Sequence, residues 1–230
     1  MSHSVRATGL IGLALLFAAC SPGATATVSV APTATVAAST VAYLDEACGG
    51  TQSSPCKAGT YQSRSFKPTF TVTVTAGWRP GRLLRTFVGA DETAAGIPLT
   101  QAPGELIFTV PTSLDPPAPG DLGSKVPADL AAWLAANKNF VLGGPTAVTI
   151  GGLAGVQLDG IVAANAKIDP QDQAYRLSDY LLFRVGQHVR FAVVTVGGAQ
   201  VVLATVAGAA DWDTFVKAAD QTIGTLAWKA

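Results

Sequence analysis

At 230 residues the chain has room for one domain with appendages. Its 15 Lys and Arg balance 15 Asp and Glu, leaving neither the basic surplus of a nucleic-acid binder nor an acidic solvating tail. With 49% hydrophobic residues, 13% charged ones and 24 glycines, the composition excludes a disordered chain and describes a core with many turns.

The first element is a leader. Met1 to Arg6 is short and polar, with Arg6 as its fixed positive charge, and an apolar run follows from Ala7 to Ala19. That run is shorter than the roughly 18 apolar residues of a membrane-spanning helix and fits the hydrophobic part of an export signal. It ends in Phe17-Ala18-Ala19-Cys20. This resembles the bacterial lipobox, in which small residues precede a cysteine that is acylated and becomes the mature N-terminus. Small side chains suit the site because the peptidase must close over extended backbone beside the scissile bond. Phe17 departs from the usual leucine, and Leu16 stands one place back.

The resemblance implies a signal peptide over 1–19 and lipidation at Cys20. It also implies a lipid-anchored location on the extracytoplasmic face of the cell membrane. The alternative is an ordinary secretory signal cut after Ala24-Thr25-Ala26, which discards Cys20 and releases a soluble protein. The chain has three cysteines, and lipidating Cys20 leaves Cys48 and Cys56 as a pair.

Residues 20–42 then form the lipidated cysteine and a tether rich in Ala, Thr, Ser, Val and Pro, without any charge. No helical or alternating period runs through it, so it reads as a spacer that reaches on the order of 25 Å as a flexible coil. A single α+β domain is expected over 43–230. Near its start, Cys48 and Cys56 flank the turn-rich Gly49-Gly50-Thr51-Gln52-Ser53-Ser54-Pro55, and in an oxidising compartment they are expected to form a disulfide. So small a loop gains roughly 2–3 kcal/mol in the chain-entropy picture. The spacing is too wide for a redox CxxC, and His188 is the only histidine beyond the leader, which disfavours a metal site.

Strands are expected over Gly59–Phe66 and Thr69–Val74, where Phe70, Val72 and Val74 alternate with threonines. Further strands are expected at Arg82–Val88 and Glu105–Val110, followed by a Pro-rich loop from Pro111 to Lys125. A first helix is expected over Pro127–Lys138, with Val126, Leu130, Trp133 and Leu134 on one face and Asp129 at the positive end of its dipole. Val148–Ile150 leads through Gly151-Gly152 into Val156–Val162, and Asp179–Val185 follows. Val189–Val196 and Gln200–Ala207 are joined at the hairpin signal Gly197-Gly198-Ala199. Weak alternation in these last two strands suits central strands covered on both faces. A second helix is expected over Trp212–Ile223, with Asp211 as N-cap and Gly224 as stop, before a closing strand at Thr225–Trp228. Helices segregated among antiparallel strands make an α+β domain.

Leu130-Ala131-Ala132-Trp133-Leu134, then Val148-Thr149-Ile150-Gly151-Gly152-Leu153-Ala154-Gly155 and Leu158-Asp159, carry a wider resemblance. With Asp211-Trp212-Asp213-Thr214-Phe215 and Thr225-Leu226-Ala227-Trp228, they resemble a domain of secreted bacterial lipoproteins similar to the PsbP/Mog1-like group. The resemblance spans Thr60 to Trp228. It implies an α/β/α sandwich, an antiparallel sheet flanked by two main helices, and a binding or scaffolding role. It transfers no catalytic residue.

Candidate chemistry is sparse. His188 follows Gly186-Gln187 at a turn, with Ser178 and Asp179 near in sequence but no nucleophile-elbow pattern, so an exposed structural histidine is the simpler reading. Asp159, Asp169, Asp172 and Asp179 lack the order of a calcium loop and read as solvated turns. Gly151-Gly152 and Gly197-Gly198 precede no helix start, which leaves turn geometry as their role. Trp78, Trp133, Trp212 and Trp228 read as core anchors, with a rim position the alternative for Trp78 because Gly77 and Arg79-Pro80 surround it. No catalytic residue, cofactor or metal is expected. The leading expectation is a non-enzymatic binding or scaffolding lipoprotein with a protein, polysaccharide or lipid partner and no nucleic acid. A small apolar-ligand carrier or sensor, with a cavity lined by Phe191 or Trp133, is the second reading. A cell-wall hydrolase or transferase built around His188 or the aspartates is the third.

Overall fold

A computed structural model describes residues 41–44, 55–64, 66–80, 97–101, 104–115, 123–170, 173–178 and 181–229. Cys20, Cys48, Asp172, Asp179 and the strand expected at Arg82–Val88 lie outside them.

The strands, in chain order, are β1 (Gly59–Gln62), β2 (Phe70–Val74), β3 (Arg79–Pro80), β4 (Ile97–Gln101), β5 (Gly104–Thr109), β6 (Ser113–Leu114), β7 (Ser124–Lys125), β8 (Phe140–Leu142), β9 (Thr146–Ile150) and β10 (Leu153–Val162). They continue as β11 (Tyr175–Ser178), β12 (Leu181–Phe183), β13 (His188–Val196), β14 (Ala199–Ala207) and β15 (Ala227–Trp228). Two helices, α1 (Leu130–Ala136) and α2 (Trp212–Ile223), complete the described elements. The main sheet runs β3-β4-β5-β14-β13-β10-β8, with β9 also paired to β10, and β1-β2-β15 form a second sheet. Every pairing between these strands is antiparallel, so the domain is α+β and dominated by its sheets.

β13 and β14 are the middle of that sheet, and their side chains divide by parity. Ala192, Val194 and Val196 share one core with Val201, Leu203 and Ala207. Val189, Phe191 and Val193 share another with Val202, Ala204 and Val206. The register keeps the sets apart: Ala192 faces Leu203 and Val194 faces Val201, while Phe191 faces Ala204. The first core is completed by Phe215 and Ala219 of α2 and by Phe70, Val72 and Val74 of β2. The second draws on Leu130 and Leu134 of α1 and on Tyr175, Leu177, Leu181 and Phe183 of the β11–β12 hairpin.

The turn between β13 and β14 fixes this register. Val196 pairs with Ala199 across Gly197 (φ 57°) and Gly198 (φ 87°), the two left-handed positions of a type I′ turn. Helix α1 begins later than the sequence suggests because Asp129 caps it, Oδ1 accepting from the Ala132 amide at 2.9 Å. Gln200 of β14 holds the approach, accepting from the Leu130 amide at 3.0 Å and donating to the Pro127 carbonyl at 2.8 Å. Asp211 does precede α2, but its side chain makes no capping bond, and Gly224 closes the helix at φ −61° rather than in the left-handed region.

Of the two positions open to Trp78 in the sequence, the core anchor is the one observed. Its side chain is fully buried, edge-on to Phe215 at 5.7 Å, because the turn at Gly77 (φ 99°) brings the indole back against α2. The Cys56 amide donates to the Trp78 carbonyl at 2.7 Å, and Cys56 is buried beside it.

The second core centres on three rings. Phe140, Phe183 and Phe191 meet edge to face at 5.1 to 5.5 Å. Each such pair adds about 0.5–1.5 kcal/mol beyond the area it buries. Truncating Phe191 removes two of these pairs and opens a void beneath the sheet. Phe191→Ala is expected to cost about 3–5 kcal/mol, read from the urea midpoint, and a loss below about 1 kcal/mol would contradict this packing.

Candidate binding cleft

Between α2 and the main sheet lies a cleft of about 350 Å³. Its floor is β13 and β14, through Arg190, Ala192, Leu203 and Thr205; its wall is β9 with Gln157 of β10; its roof is Asp220, Ile223 and Gly224. The wall is fixed by the β9–β10 turn, where Ile150 faces Leu153 across Gly151 (φ 58°) and Gly152 (φ 83°). A Cβ on Gly151 would stand 2.7 Å from the Trp228 ring, so glycine lets the indole close on the hairpin. Trp228 Nε1 then donates to the Ile150 carbonyl at 3.0 Å.

Arg190 is the electrostatic centre. Its Nε donates to Asp159 Oδ1 at 2.5 Å, and Nη1 donates to both carboxylate oxygens of Asp220 at 2.8 Å. Asp159 is its cross-strand partner on β10, and Asp220 comes from α2, so one guanidinium ties the helix to two strands. Gln157 Nε2 steadies Asp159 from the side at 3.0 Å. Burial alone would lower the pKa of Arg190, but the hydrogen bonds to Asp159 and Asp220 outweigh it and hold the value above its ordinary level. Two carboxylates facing one guanidinium leave an excess negative charge at this edge. Next to Arg190 across the strands, Thr205 is buried with no hydrogen-bond partner for Oγ1.

A second polar network sits on the other side of the sheet. Tyr175 Oη donates to Asp115 Oδ1 and accepts from Asn137 Nδ2 at 2.8 Å. Asn137 Oδ1 in turn accepts from the amide and side chain of Asn139. Asp115 holds a left-handed backbone (φ 48°), and its amide donates to the Leu177 carbonyl. Burial, then the bond to Asp115, pushes the Tyr175 phenol well above its ordinary value of 10.0.

Among the described residues, those singled out in the sequence do not converge. His188 is half-buried with its ring 5.4 Å from that of Trp212, whereas Ser178 is buried on β11. Asp159 pairs with Arg190, but Asp169 pairs with Arg176 at 3.7 Å. Among the described residues, no group of three His, Cys, Asp or Glu could hold a metal ion. Phe191 packs among rings in the second core and does not line this cleft, and Trp133 lies partly buried against the same core. Sequence reasoning passed over Arg190, Thr205 and Asp220. The available signal was an arginine between Val189 and Phe191 in an otherwise apolar strand.

No family model and no curated protein matches the chain. Solved structures similar to the chain include the following two. One is the solution structure of cyanobacterial PsbP (CyanoP) from Synechocystis sp. PCC 6803, with a TM-score of 0.41 and 14% identity over 75% of this chain and 94% of that one. The other is the crystal structure of LpqN, involved in cell envelope biogenesis of Mycobacterium tuberculosis, with a TM-score of 0.39 and 17% identity over 83% of this chain and 99% of that one. Among the described residues, no helix is long and apolar enough to cross a membrane.

A raised phenol pKa has a definite sign for stability. The folded state keeps its proton where the unfolded chain has lost it, so the Tyr175 contribution is intact below the ordinary value of 10.0 and is lost as the pH rises above it. Urea unfolding at about pH 8.5 and about pH 10.5 is expected to show this fall, and Tyr175→Phe to reduce it. An equal fall in wild type and Tyr175→Phe would show that the phenol plays no such part.

Proposed function

We propose that this chain is an extracytoplasmic lipoprotein, anchored to the cell membrane through Cys20, whose folded domain is a non-enzymatic binding or scaffolding module. In this reading α1 and α2 flank the sheet as the two outer layers of an α/β/α sandwich, and Cys48 pairs with Cys56. The observation that carries the reading is the cleft beneath α2, where an apolar floor and wall meet a charged edge paired within itself. Arg190 is committed to Asp159 and Asp220, which favours a rigid edge that holds a partner over a reactive one. The leader supplies the address.

Two readouts test the two halves. The intact mass of the membrane-bound protein is expected to equal the chain from Cys20 plus acyl groups. Mature protein beginning at or beyond Thr27, without an acyl chain, would remove the anchor. For the cleft, a photoreactive residue at Thr149 is expected to give a discrete crosslinked species in intact cells, and the same residue at exposed Ala132 of α1 is not. Identical products from both positions would rule the cleft out as the binding face.

A further inference from the structure

The floor of the cleft changes from apolar to polar within one repeat of the sheet. Ala192 lies opposite Leu203, and Arg190 lies opposite Thr205, two residues along each strand. Both members of the first pair are buried, and they meet Val148, Ile150 and Ile223 around the cleft. In the second pair Thr205 is 1% exposed, and its Oγ1 has no partner. Arg190 would be the natural donor, but Nε and Nη2 are held by Asp159 and Nη1 by Asp220. A buried hydroxyl left this way costs free energy that a ligand atom could recover.

The same arrangement selects against charge. An anion would meet two carboxylates for one guanidinium. A cation drawn to the excess negative charge would have to compete with Arg190 for two half-exposed carboxylates that it already binds, and away from them would sit beside apolar walls. Resting on the cleft as the binding face, we infer that it takes a small uncharged molecule, apolar over most of its surface, with one hydroxyl or carbonyl that hydrogen-bonds Thr205 Oγ1. The volume of about 350 Å³ suits such a molecule, near the lower end of the range for small-ligand sites.

The test uses the full chain with ¹³C-labelled Ile, Leu and Val methyl groups and three probes of one shape: cyclohexanol, cyclohexanecarboxylate and cyclohexylammonium. Cyclohexanol is expected to shift the methyls of Val148, Ile150, Leu203 and Ile223 saturably, while those of Leu130 and Leu134 in the other core stay in place. Thr205→Val keeps the volume and removes the hydroxyl, and is expected to weaken cyclohexanol binding about tenfold with methyl dispersion retained. Thr205→Ser, which restores a hydroxyl, is expected to keep most of the affinity. The inference is overturned by no saturable shift with cyclohexanol, by undiminished binding in Thr205→Val, or by equal binding of either ion. None of these outcomes touches the mass of the anchored protein or the crosslink at Thr149, so a wrong ligand class and a wrong binding face are separable.

Discussion

Everything in this domain depends on burying both faces of one strand pair. β13 and β14 are nine residues each and lie in the middle of the sheet, so their alternating side chains need a cover on either side. The chain meets that demand with two unlike covers. Helix α2 with the β1-β2-β15 sheet closes one core, and α1 with the β11–β12 hairpin closes the other. A slip of one residue between β13 and β14 would move every side chain to the opposite face and disrupt both cores together. The Gly197-Gly198 turn is the local device that prevents it.

The cleft is a consequence of the same parity. Even-numbered residues of β13 face α2, which places Arg190 on the helix side of the sheet in line with Ala192 and Val194. A guanidinium there must bring its own counter-charges, and they come from two directions, Asp159 across the ladder and Asp220 from the helix. Where the polar row replaces the apolar one, α2 no longer closes tightly on the sheet. One half-buried arginine thus both anchors the helix and lines the space beneath it.

The sequence made the long, strongly patterned elements legible: α2, β2, β10, β13 and β14 all lie within a few residues of where alternation, helical period and paired glycines put them. Short elements escaped it. Phe140–Leu142 and Tyr175–Ser178 are strands only because β10 and β12 offer edges to pair with, and Tyr175–Ser178 is buried at all four positions, which erases alternation. Trp78 looked exposable beside Gly77, Arg79 and Pro80, yet the glycine supplies the turn that buries it. The site was less legible still. Asp159, Arg190 and Asp220 are separated by some 30 residues each, and nothing local reveals that the ladder and a helix will bring them together. His188 and the aspartates drew attention as reactive types, while the buried threonine that matters has no chemical signature in a sequence.

Amide hydrogen exchange on the full chain tests the two-faced strand pair most directly. The amides of Val193, Val194, Val202 and Leu203 should exchange only through global unfolding, with opening free energies that match the stability from denaturant titration. Those of β15 and of the β11–β12 hairpin, each held on one side of the pair, should open earlier. Exchange of the β13 and β14 amides as fast as those of β15 would contradict the account, because the strands said to hold both cores would then be the first to come apart.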